Sequence, residues 1–345
     1  MPFKRPYLIP LLICLLWLPL LGAPVNPAEA SFPGRNGLIA YTTGEDGPEP
    51  QDGLLGGDSE IAVVRPDGSG KRYLTQNDLD DSQPRFSANG RWIVFARGPQ
   101  RPPGQPREDH IYLMRSDGAS VRQLTPAAGA SEGEPTFSPD MRWIVFVRER
   151  DLFRIRFDGT GLQRLTSTRL DENAPEVSPN GRLLVFNRSL NGGARNRIAV
   201  MRLGDRRTRV LVRGPDQPIH DRSAIFPLPR SQQFFPDGRR IAFLDFLTQW
   251  LYSVAVSGGE PRMLDSPRSG DVTAFSISPD SAQVVIATDR GELAVMSLCG
   301  KGFKSLHTRR DTFGGYGPSW QPVPADSRRP APKCPRRDSN PRRAA

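Results

Sequence analysis

Three acidic residues recur at one position of a repeated sequence block. Asp81, Glu132 and Glu172 each lie three residues before a proline at the start of a predicted strand. Carboxylates arranged as a partial ring would bind a cation or a basic peptide, and in an enzyme they would serve as general acids and bases. The same residue types also cap turns and strand starts. This structural interpretation is the one that we favour.

Recognisable catalytic motifs do not occur in the sequence. The three histidines, His110, His220 and His307, are scattered, and there is no Gly-x-Ser-x-Gly elbow, His-Glu-x-x-His helix or phosphate-binding glycine loop. The acidic segment Thr43–Glu60 offers the oxygen ligands that Ca²⁺ requires, but its spacing is not that of an EF-hand. We therefore predict no catalytic residue, metal site or cofactor, with Ca²⁺ binding by this segment left open.

A hairpin of fifteen residues is repeated six times and determines the fold class. Each copy opens with alternating apolar residues, has a turn such as Asp67-Gly68 at its seventh and eighth positions, and has leucine at its fourteenth. Alternation with a period of two marks a strand with one buried face, and Asp-Gly provides the positive φ of a tight turn. The copies are Ile61–Thr75, Ile111–Thr125, Leu152–Thr166, Ile198–Val212, Leu251–Asp265 and Leu293–His307.

A second block precedes these hairpins and completes a four-stranded unit. In Pro84–Ala96 it consists of a strand, a Ser-Ala-Asn-Gly turn and another strand, and successive hairpins start 41 to 53 residues apart. Four strands at this period are the signature of a β-propeller. Phe32–Tyr41 matches a second strand without a first, and Tyr316–Pro322 matches a first strand without a second. We therefore predict an all-β, six-bladed propeller of four-stranded blades, closed by the C-terminal strand joining the N-terminal blade.

The Ser-x-Asp/Asn-Gly-x-x-Ile-x-Phe blocks and the Asp-Gly hairpins resemble the TolB-like, WD40-like β-propeller repeat (PD40) family. The resemblance covers about Phe32–Pro322. It implies the fold and specifies no activity. In TolB an α/β domain precedes the propeller, whereas here the first propeller strand follows the N-terminal apolar segment almost directly. The resemblance therefore implies a stand-alone propeller, and the role of TolB in the cell envelope is not carried over.

The N-terminal segment has the features of a secretory signal. Lys4 and Arg5 precede the apolar run Tyr7–Leu21, and the Ala-Glu-Ala sequence at 28–30 fits a cleavage site. Prolines interrupt the run, which is shorter than the roughly 20 residues of a spanning helix. We expect residues 1–30 to be a cleaved signal peptide. The mature chain would then be secreted, to the periplasm or the exterior, without stable membrane insertion.

The rest of the chain is expected to comprise one folded domain and a tail. Residues 31–323 would form the propeller, whereas residues 324–345 are rich in proline and arginine, lack aromatic residues and are expected to be disordered. The formal net charge is +10, yet no nucleic-acid partner is expected. Export would permit a disulfide between Cys299 and Cys334, with two free thiols as the alternative. We expect a monomer.

Connections of variable length predict where the protein binds. Strand direction alternates within a blade, so the loops between second and third strands share one face with the loops between blades. We call this the long-loop face; the insertions Thr43–Glu60, Gly98–His110, Ser189–Arg197 and Arg213–Arg230 all fall on it. Variable loops on a rigid scaffold are where binding usually resides. The candidate binding residues are Asp81, Arg107, His110, Glu132, Glu172, Arg195, Arg197, His220, Asp221 and Arg222.

The sequence therefore predicts a secreted, non-enzymatic scaffold that binds a protein or peptide of the cell envelope or exterior through the long-loop face. The alternative is a propeller lyase or hydrolase whose site lies at the mouth of the central channel, near Asp81, Glu132, Glu172 and His220. The scaffold would lose its partner when the long loops are trimmed. The enzyme would lose turnover when single channel acids are replaced.

Overall fold

The computed structural model describes residues 34–44, 59–100, 108–126, 129–190, 194–214, 229–245, 249–265, 272–288, 291–298, 302–306 and 317–324. These ranges contain twenty-four β-strands and no helix. The strands form six antiparallel sheets of four strands each. The prediction of a six-bladed β-propeller is therefore confirmed.

The blades follow one another along the chain. Blade 1 contains β24 (Ser319–Pro324), β1 (Gly34–Gly44), β2 (Ser59–Val64) and β3 (Arg72–Tyr73); blade 2 contains β4 (Leu79–Phe86), β5 (Trp92–Pro99), β6 (His110–Arg115) and β7 (Arg122–Gln123). Blade 3 contains β8 (Glu132–Phe137), β9 (Trp143–Arg148), β10 (Asp151–Arg156) and β11 (Gln163–Arg164); blade 4 contains β12 (Asp171–Val177), β13 (Leu183–Leu190), β14 (Ala194–Arg202) and β15 (Thr208–Arg213). Blade 5 contains β16 (Pro229–Phe234), β17 (Arg240–Asp245), β18 (Leu251–Ala255) and β19 (Arg262–Asp265); blade 6 contains β20 (Val272–Ile277), β21 (Gln283–Thr288), β22 (Leu293–Ser297) and β23 (Lys304–Ser305).

The seam lies in blade 1, as predicted. β24 pairs antiparallel with β1, with Trp320 opposite Ile39. The Trp320 indole is 2% exposed, and its Nε1 donates a hydrogen bond of 3.0 Å to the carbonyl oxygen of Ser276 in blade 6. The C-terminal strand thus completes one blade and attaches it to the preceding one. This pairing removes an open sheet edge from the ring.

The core consists of apolar layers between neighbouring blades. Each of the six apolar clusters combines residues from two adjacent blades. Between blades 2 and 3, for example, Val94 and Leu113 pack with Phe146 and Ile155. Burial of each such side chain contributes about 1.5–3 kcal/mol. Because apolar packing lies between the blades, the inner strands are free to present polar residues to the centre.

The hairpin turns also pack between blades. Gly118, in the turn between β6 and β7, has φ of +93°, and a Cβ added there would lie 3.0 Å from the carbonyl oxygen of Leu74 in blade 1. Gly159 lies in the same way over Leu124, with a corresponding distance of 3.2 Å. The repeated glycine and leucine therefore belong to one contact. The glycine allows both the left-handed backbone and the close approach.

A basic residue at the twelfth position of the hairpin joins each of several blades to the next. Arg72 Nη1 donates to the carbonyl oxygen of Asp117 at 3.2 Å, and Arg122 and Arg209 bond in the same way to the following blades. Lys304 Nζ donates to the carbonyl oxygen of Asp67 at 2.8 Å, which links blade 6 to blade 1. We did not predict these contacts between blades from the sequence, although the basic residues are visible in the aligned hairpins.

Candidate functional site

Each of the three predicted acids lies against an arginine of its own blade. The pairs are Asp81 with Arg97, Glu132 with Arg148, and Glu172 with Arg188. The acid side chains are at most 1% exposed, and the arginines are 14–17% exposed. The acids are therefore held in neutralised pairs beneath the long-loop face. A buried carboxylate of this kind requires a partner of opposite charge.

The arginine of each pair lies on the second strand and packs over aromatic rings. The Arg97 guanidinium carbon is 5.3 Å from the ring centroid of Phe95 and 5.1 Å from that of Tyr112, a cation–π arrangement. The sequence signal that we missed is Phe-x-Arg with its arginine sixteen residues after the acid. The signal is confined to blades 2, 3 and 4. The equivalent positions are Pro229 and Asp245 in blade 5, and Val272 and Thr288 in blade 6.

One predicted histidine joins this set. His110 begins β6, and its Nδ1 lies 3.6 Å from Glu132 Oε2 in the next blade. The Thr125 hydroxyl donates to the same oxygen. Of the other predicted binding residues, Arg195 and Arg197 lie on β14. The remaining predicted residues, Arg107, His220, Asp221, Arg222, Cys299 and Cys334, lie outside the described residues, as do residues 1–30 and 325–345.

Four inner strands contain a β-bulge whose left-handed residue is not glycine. The residues and their φ angles are Gln83 (59°), Glu134 (53°), Ala174 (50°) and Ser231 (45°), each at a shift of register with the second strand. Bulges redirect side chains, and all four residues line the central channel. A left-handed backbone at residues other than glycine costs about 1–2 kcal/mol each. The surrounding contacts must therefore hold the bulges in place.

Side chains from the bulges bond to the backbone of neighbouring blades. The Gln83 side-chain oxygen accepts the N–H of Glu134, and the Glu134 carboxylate accepts the N–H of Ala174. Gln232 of blade 5 donates to the carbonyl oxygen of Ala174 from the other side. The result is a belt of hydrogen bonds around the channel from blade 2 to blade 5. This belt supplies contacts that hold the left-handed residues.

A cavity of about 110 Å³ lies in the channel, and three of its lining side chains are ionisable. Arg85 of β4 donates from Nη1 to the carbonyl oxygen of Pro318 at 3.0 Å, next to blade 1. Glu134 and Glu176 reach in the other direction and accept the N–H groups of Ala174 in blade 4 and Phe234 in blade 5. The cavity is therefore lined by one basic side chain, bonded next to blade 1, and two acidic side chains, bonded to blades 4 and 5.

The cavity shifts the protonation of these groups. Burial raises the pKa of Glu176 from its usual 4.5 to about 8, although the charge of Arg85 opposes the rise. Burial also raises the pKa of Glu134 and lowers that of Arg85. Glu176 retains some exposed surface, but its Oε1 is inaccessible and has no hydrogen-bond partner among the described residues. A buried carboxylate oxygen without a donor is unfavourable, so this oxygen can accept a bond from a ligand.

The strand bounds place the longer connections on one face. Long connections begin on this face after Gly44, Pro99 and Arg213. The predicted insertion Ser189–Arg197 is wrong, because β13 extends to Leu190 and β14 begins at Ala194, so that only three residues connect the two strands. The inner strands begin on the same face, where Asp81, Glu132 and Glu172 lie. The turns on the opposite face, such as 87–91 and 116–121, are short. The binding role of the long-loop face itself stays a prediction.

In the part of the chain that the structure describes, no helix is long and apolar enough to cross a membrane. Among the same residues, no group of three or more histidine, cysteine, aspartate or glutamate side chains is placed to hold a metal ion.

Sequence comparison gives one partial match and no family. No family model matches the chain. An uncharacterized protein of Agrobacterium fabrum is 36% identical over 80 residues, which are 22% of this chain and 27% of that protein. The match thus spans about a quarter of the relative's length.

Several solved structures are similar to this chain in fold. TolB from Acinetobacter baumannii has a TM-score of 0.64 at 19% identity, over 83% of this chain and 67% of that chain. A chain of the nidogen/laminin complex has a TM-score of 0.62 at 11% identity, over 84% and 100% of the two chains. An oligogalacturonate lyase in complex with manganese has a TM-score of 0.50 at 13% identity, over 68% and 70%. At these identities the likeness shows the fold alone.

Proposed function

Because the chain has the TolB-like six-bladed β-propeller fold, we propose that it acts as a secreted, non-enzymatic scaffold. It binds a protein or peptide of the cell envelope or exterior through the long-loop face. The secretion follows from the signal-like features of residues 1–30. The likeness to TolB and to a chain of the nidogen/laminin complex supports the fold on which this proposal rests, and neither likeness identifies the partner.

The observation that carries the proposal is the one-sided distribution of variable connections. Long connections follow Gly44, Pro99 and Arg213 on the long-loop face, whereas the turns on the opposite face are short. The blades beneath them are joined by apolar layers, by the twelfth-position basic residues and by the belt around the channel. A rigid ring with variable loops on one face suits recognition of a macromolecule.

The environment of the predicted acids also supports a scaffold. A general acid or base must come within hydrogen-bond reach of the substrate. Asp81, Glu132 and Glu172 are almost fully buried and bonded to arginines. In this arrangement they connect the first and second strands of blades 2 to 4. Their contribution is to stability.

The alternative function is a propeller enzyme, a lyase or hydrolase, with a site at the channel mouth. The likeness to an oligogalacturonate lyase is the observation that favours it. It predicts that the protein turns over a polysaccharide or another substrate. This turnover should be lost when Glu132 or Glu172 is replaced by glutamine, in variants that remain folded. The lyase activity is tested by incubating the protein with polygalacturonate and detecting unsaturated uronates by their ultraviolet absorbance.

The scaffold is tested by affinity capture of envelope and culture proteins on the chain from Ser31 to Ala345. A second variant has the connections between β5 and β6 (residues 101–108) and between β15 and β16 (residues 215–228) shortened to tight turns, with all four strands kept. A matched control carries Arg142→Ala and Arg182→Ala on the opposite face, where both side chains are exposed. All three must show the same β-sheet circular dichroism before they are compared.

We expect one partner to bind the parent and the opposite-face control and to be lost by the loop-shortened variant. Equal capture by all three, or none by any, would contradict binding through the long-loop face. Loss of the partner from the opposite-face control alone would move the site to the other side of the ring.

A further inference from the structure

The channel cavity separates one positive group from two acidic ones. Arg85 lies beside blade 1, and Glu134 and Glu176 reach towards blades 4 and 5. We propose that this cavity binds a small zwitterion, an ammonium carboxylate of about the size of glycine or alanine. Arg85 would hold the carboxylate, and Glu134 and Glu176 would hold the ammonium group. This binding is separate from the partner binding proposed above and does not depend on it.

The Arg85 side chain suits a carboxylate. A guanidinium has five N–H donors in a planar fork that matches a carboxylate with two parallel bonds. Pro318 accepts one bond from Nη1. The residue beside the other terminal nitrogen is Gly317, where an added Cβ would lie 3.5 Å from Arg85 Nη2. Because residue 317 is glycine, no side chain from this position covers the guanidinium.

The two acidic side chains suit an ammonium group. Glu134 and Glu176 each accept one backbone N–H from a neighbouring blade. Glu176 Oε1 is inaccessible and lacks a hydrogen-bond partner among the described residues. An ammonium group brings three donors, so it can satisfy this oxygen and a second acceptor together. The polar side chains of Gln83, Gln232 and Gln233 also line the cavity.

The opposed charges argue against ligands that carry only one sign. Above about pH 8, where Glu176 is ionised, a simple carboxylate would meet Arg85 but would lie close to negatively charged side chains, and a simple amine would lie close to the guanidinium. A zwitterion presents each charge to its complement. The volume of about 110 Å³ is about that of four water molecules, which limits the ligand to a few heavy atoms.

Binding of this kind is coupled to protonation. With its pKa raised to about 8 by burial, Glu176 is largely protonated at neutral pH. An ammonium ligand favours the carboxylate, so binding releases a proton and strengthens as the pH rises towards 8. The other ionisable groups that face it are Arg85 and Glu134. The described lining residues from β16 and β20 are not ionisable.

Isothermal titration calorimetry of the purified protein tests the proposal. The probes are glycine, β-alanine and γ-aminobutyrate, whose charges are progressively further apart, with acetate and methylamine as single-charge controls. We expect at least one of the zwitterions to bind at least about tenfold more tightly than either control. Titrations at pH 7 in two buffers of different ionisation enthalpy should reveal proton release.

Variants identify the site. Glu176→Gln keeps the acceptor for the Phe234 N–H but removes the charge, and Arg85→Gln removes the guanidinium. Each should weaken zwitterion binding by about tenfold to a hundredfold, the effect of one charge-assisted hydrogen bond. Asp158→Asn makes the same charge change in an exposed turn and should leave affinity unaltered. Arg85→Lys, which keeps the charge and loses the fork, provides a second test if Arg85→Gln does not fold.

The proposal is overturned if none of the three zwitterions binds the folded protein. Acetate or methylamine binding as tightly as the zwitterions would overturn it as well, since a single charge would then suffice. So would unchanged affinity in folded Glu176→Gln, because the ligand would then bind elsewhere. None of these three results would bear on the partner of the long-loop face, which is measured separately by capture.

Discussion

Arg188 donates two hydrogen bonds to one carboxylate oxygen of Glu172, at 2.9 Å from Nε and 2.6 Å from Nη2. The acid is the second residue of the inner strand of blade 4, and the arginine lies opposite it on the second strand. In blade 3, Arg148 likewise donates from Nε and Nη2 to one oxygen of Glu132. In blade 2, Arg97 donates to both oxygens of Asp81. In each blade the pair ties two strands together beneath the long-loop face.

Arg188→Met should strongly destabilise the protein, because it leaves the buried carboxylate of Glu172 unpaired. The expected loss in the free energy of unfolding is about 3–5 kcal/mol, measured by urea titration. The double variant Arg188→Met/Glu172→Leu should lose much less, since no charge stays buried. Arg202→Ala, which removes an exposed pair with Asp205 at 3.1 Å, should change stability by less than about 1 kcal/mol. Equal losses in the single and double variants would show that the buried charge is not the cause.

Gly118→Ala should destabilise the ring more than Gly258→Ala. Both glycines have a left-handed backbone, with φ of +93° and +105°. An added Cβ at Gly118 would lie 3.0 Å from the carbonyl oxygen of Leu74, whereas nothing lies within 4 Å at Gly258. Gly258→Ala therefore measures the backbone term alone, about 1–2 kcal/mol, and Gly118→Ala adds the steric contact between blades. Thermal melting of the two variants gives the comparison, and identical melting temperatures would exclude that contact.

The sequence contained clear evidence for the hairpins and much weaker evidence for the site. Turn residues such as Asp117-Gly118 determine the local backbone, and the leucine at position 74 recurs at the same place in every hairpin. Alignment of the repeats therefore identified both. Arg97 was missed because its partner, Asp81, lies on another strand. The bulges at Gln83 and Glu134 could not be predicted, since nothing about glutamine or glutamate indicates a left-handed backbone. Packing between blades selects that conformation.

Glu176→Gln should flatten the pH dependence of stability. The pKa of Glu176 is about 8 in the folded protein, raised by burial from its usual 4.5, so the folded state keeps a proton that the unfolded state has lost. Unfolding then releases that proton, and stability falls as the pH rises from about 4.5 to about 8 and levels off above. Glu60, whose pKa burial raises to about 7, should preserve part of the slope in the variant.

Calorimetric melting of the parent and of Glu176→Gln between pH 5 and 9 measures this difference. The stability of the parent relative to the variant should decrease steadily from pH 5 to pH 8. Parallel profiles would mean that Glu176 has the same pKa in the folded and unfolded states. Glu176 would then be fully hydrated in the channel.

Ending the chain at Pro318 should disrupt the fold, whereas ending it at Pro324 should not. The first truncation removes β24, its pairing with β1 and the buried Trp320. An open edge and an exposed apolar layer between blades 6 and 1 would remain. The second truncation removes only residues 325–345 and should leave the melting temperature unchanged. A cooperative unfolding transition at the parent temperature after the first truncation would contradict closure by β24.

Binding through the long-loop face is tested most directly by attaching one protein to a surface in two orientations. A biotin-acceptor peptide is inserted either into the Gly258-Gly259 turn on the opposite face or between β13 and β14 on the long-loop face. Both forms are then exposed to the same envelope and culture proteins. We predict that a partner binds only to the form attached through Gly258-Gly259, whose long-loop face is open. Equal binding to both forms, or binding only when the long-loop face is against the surface, would contradict the proposed function.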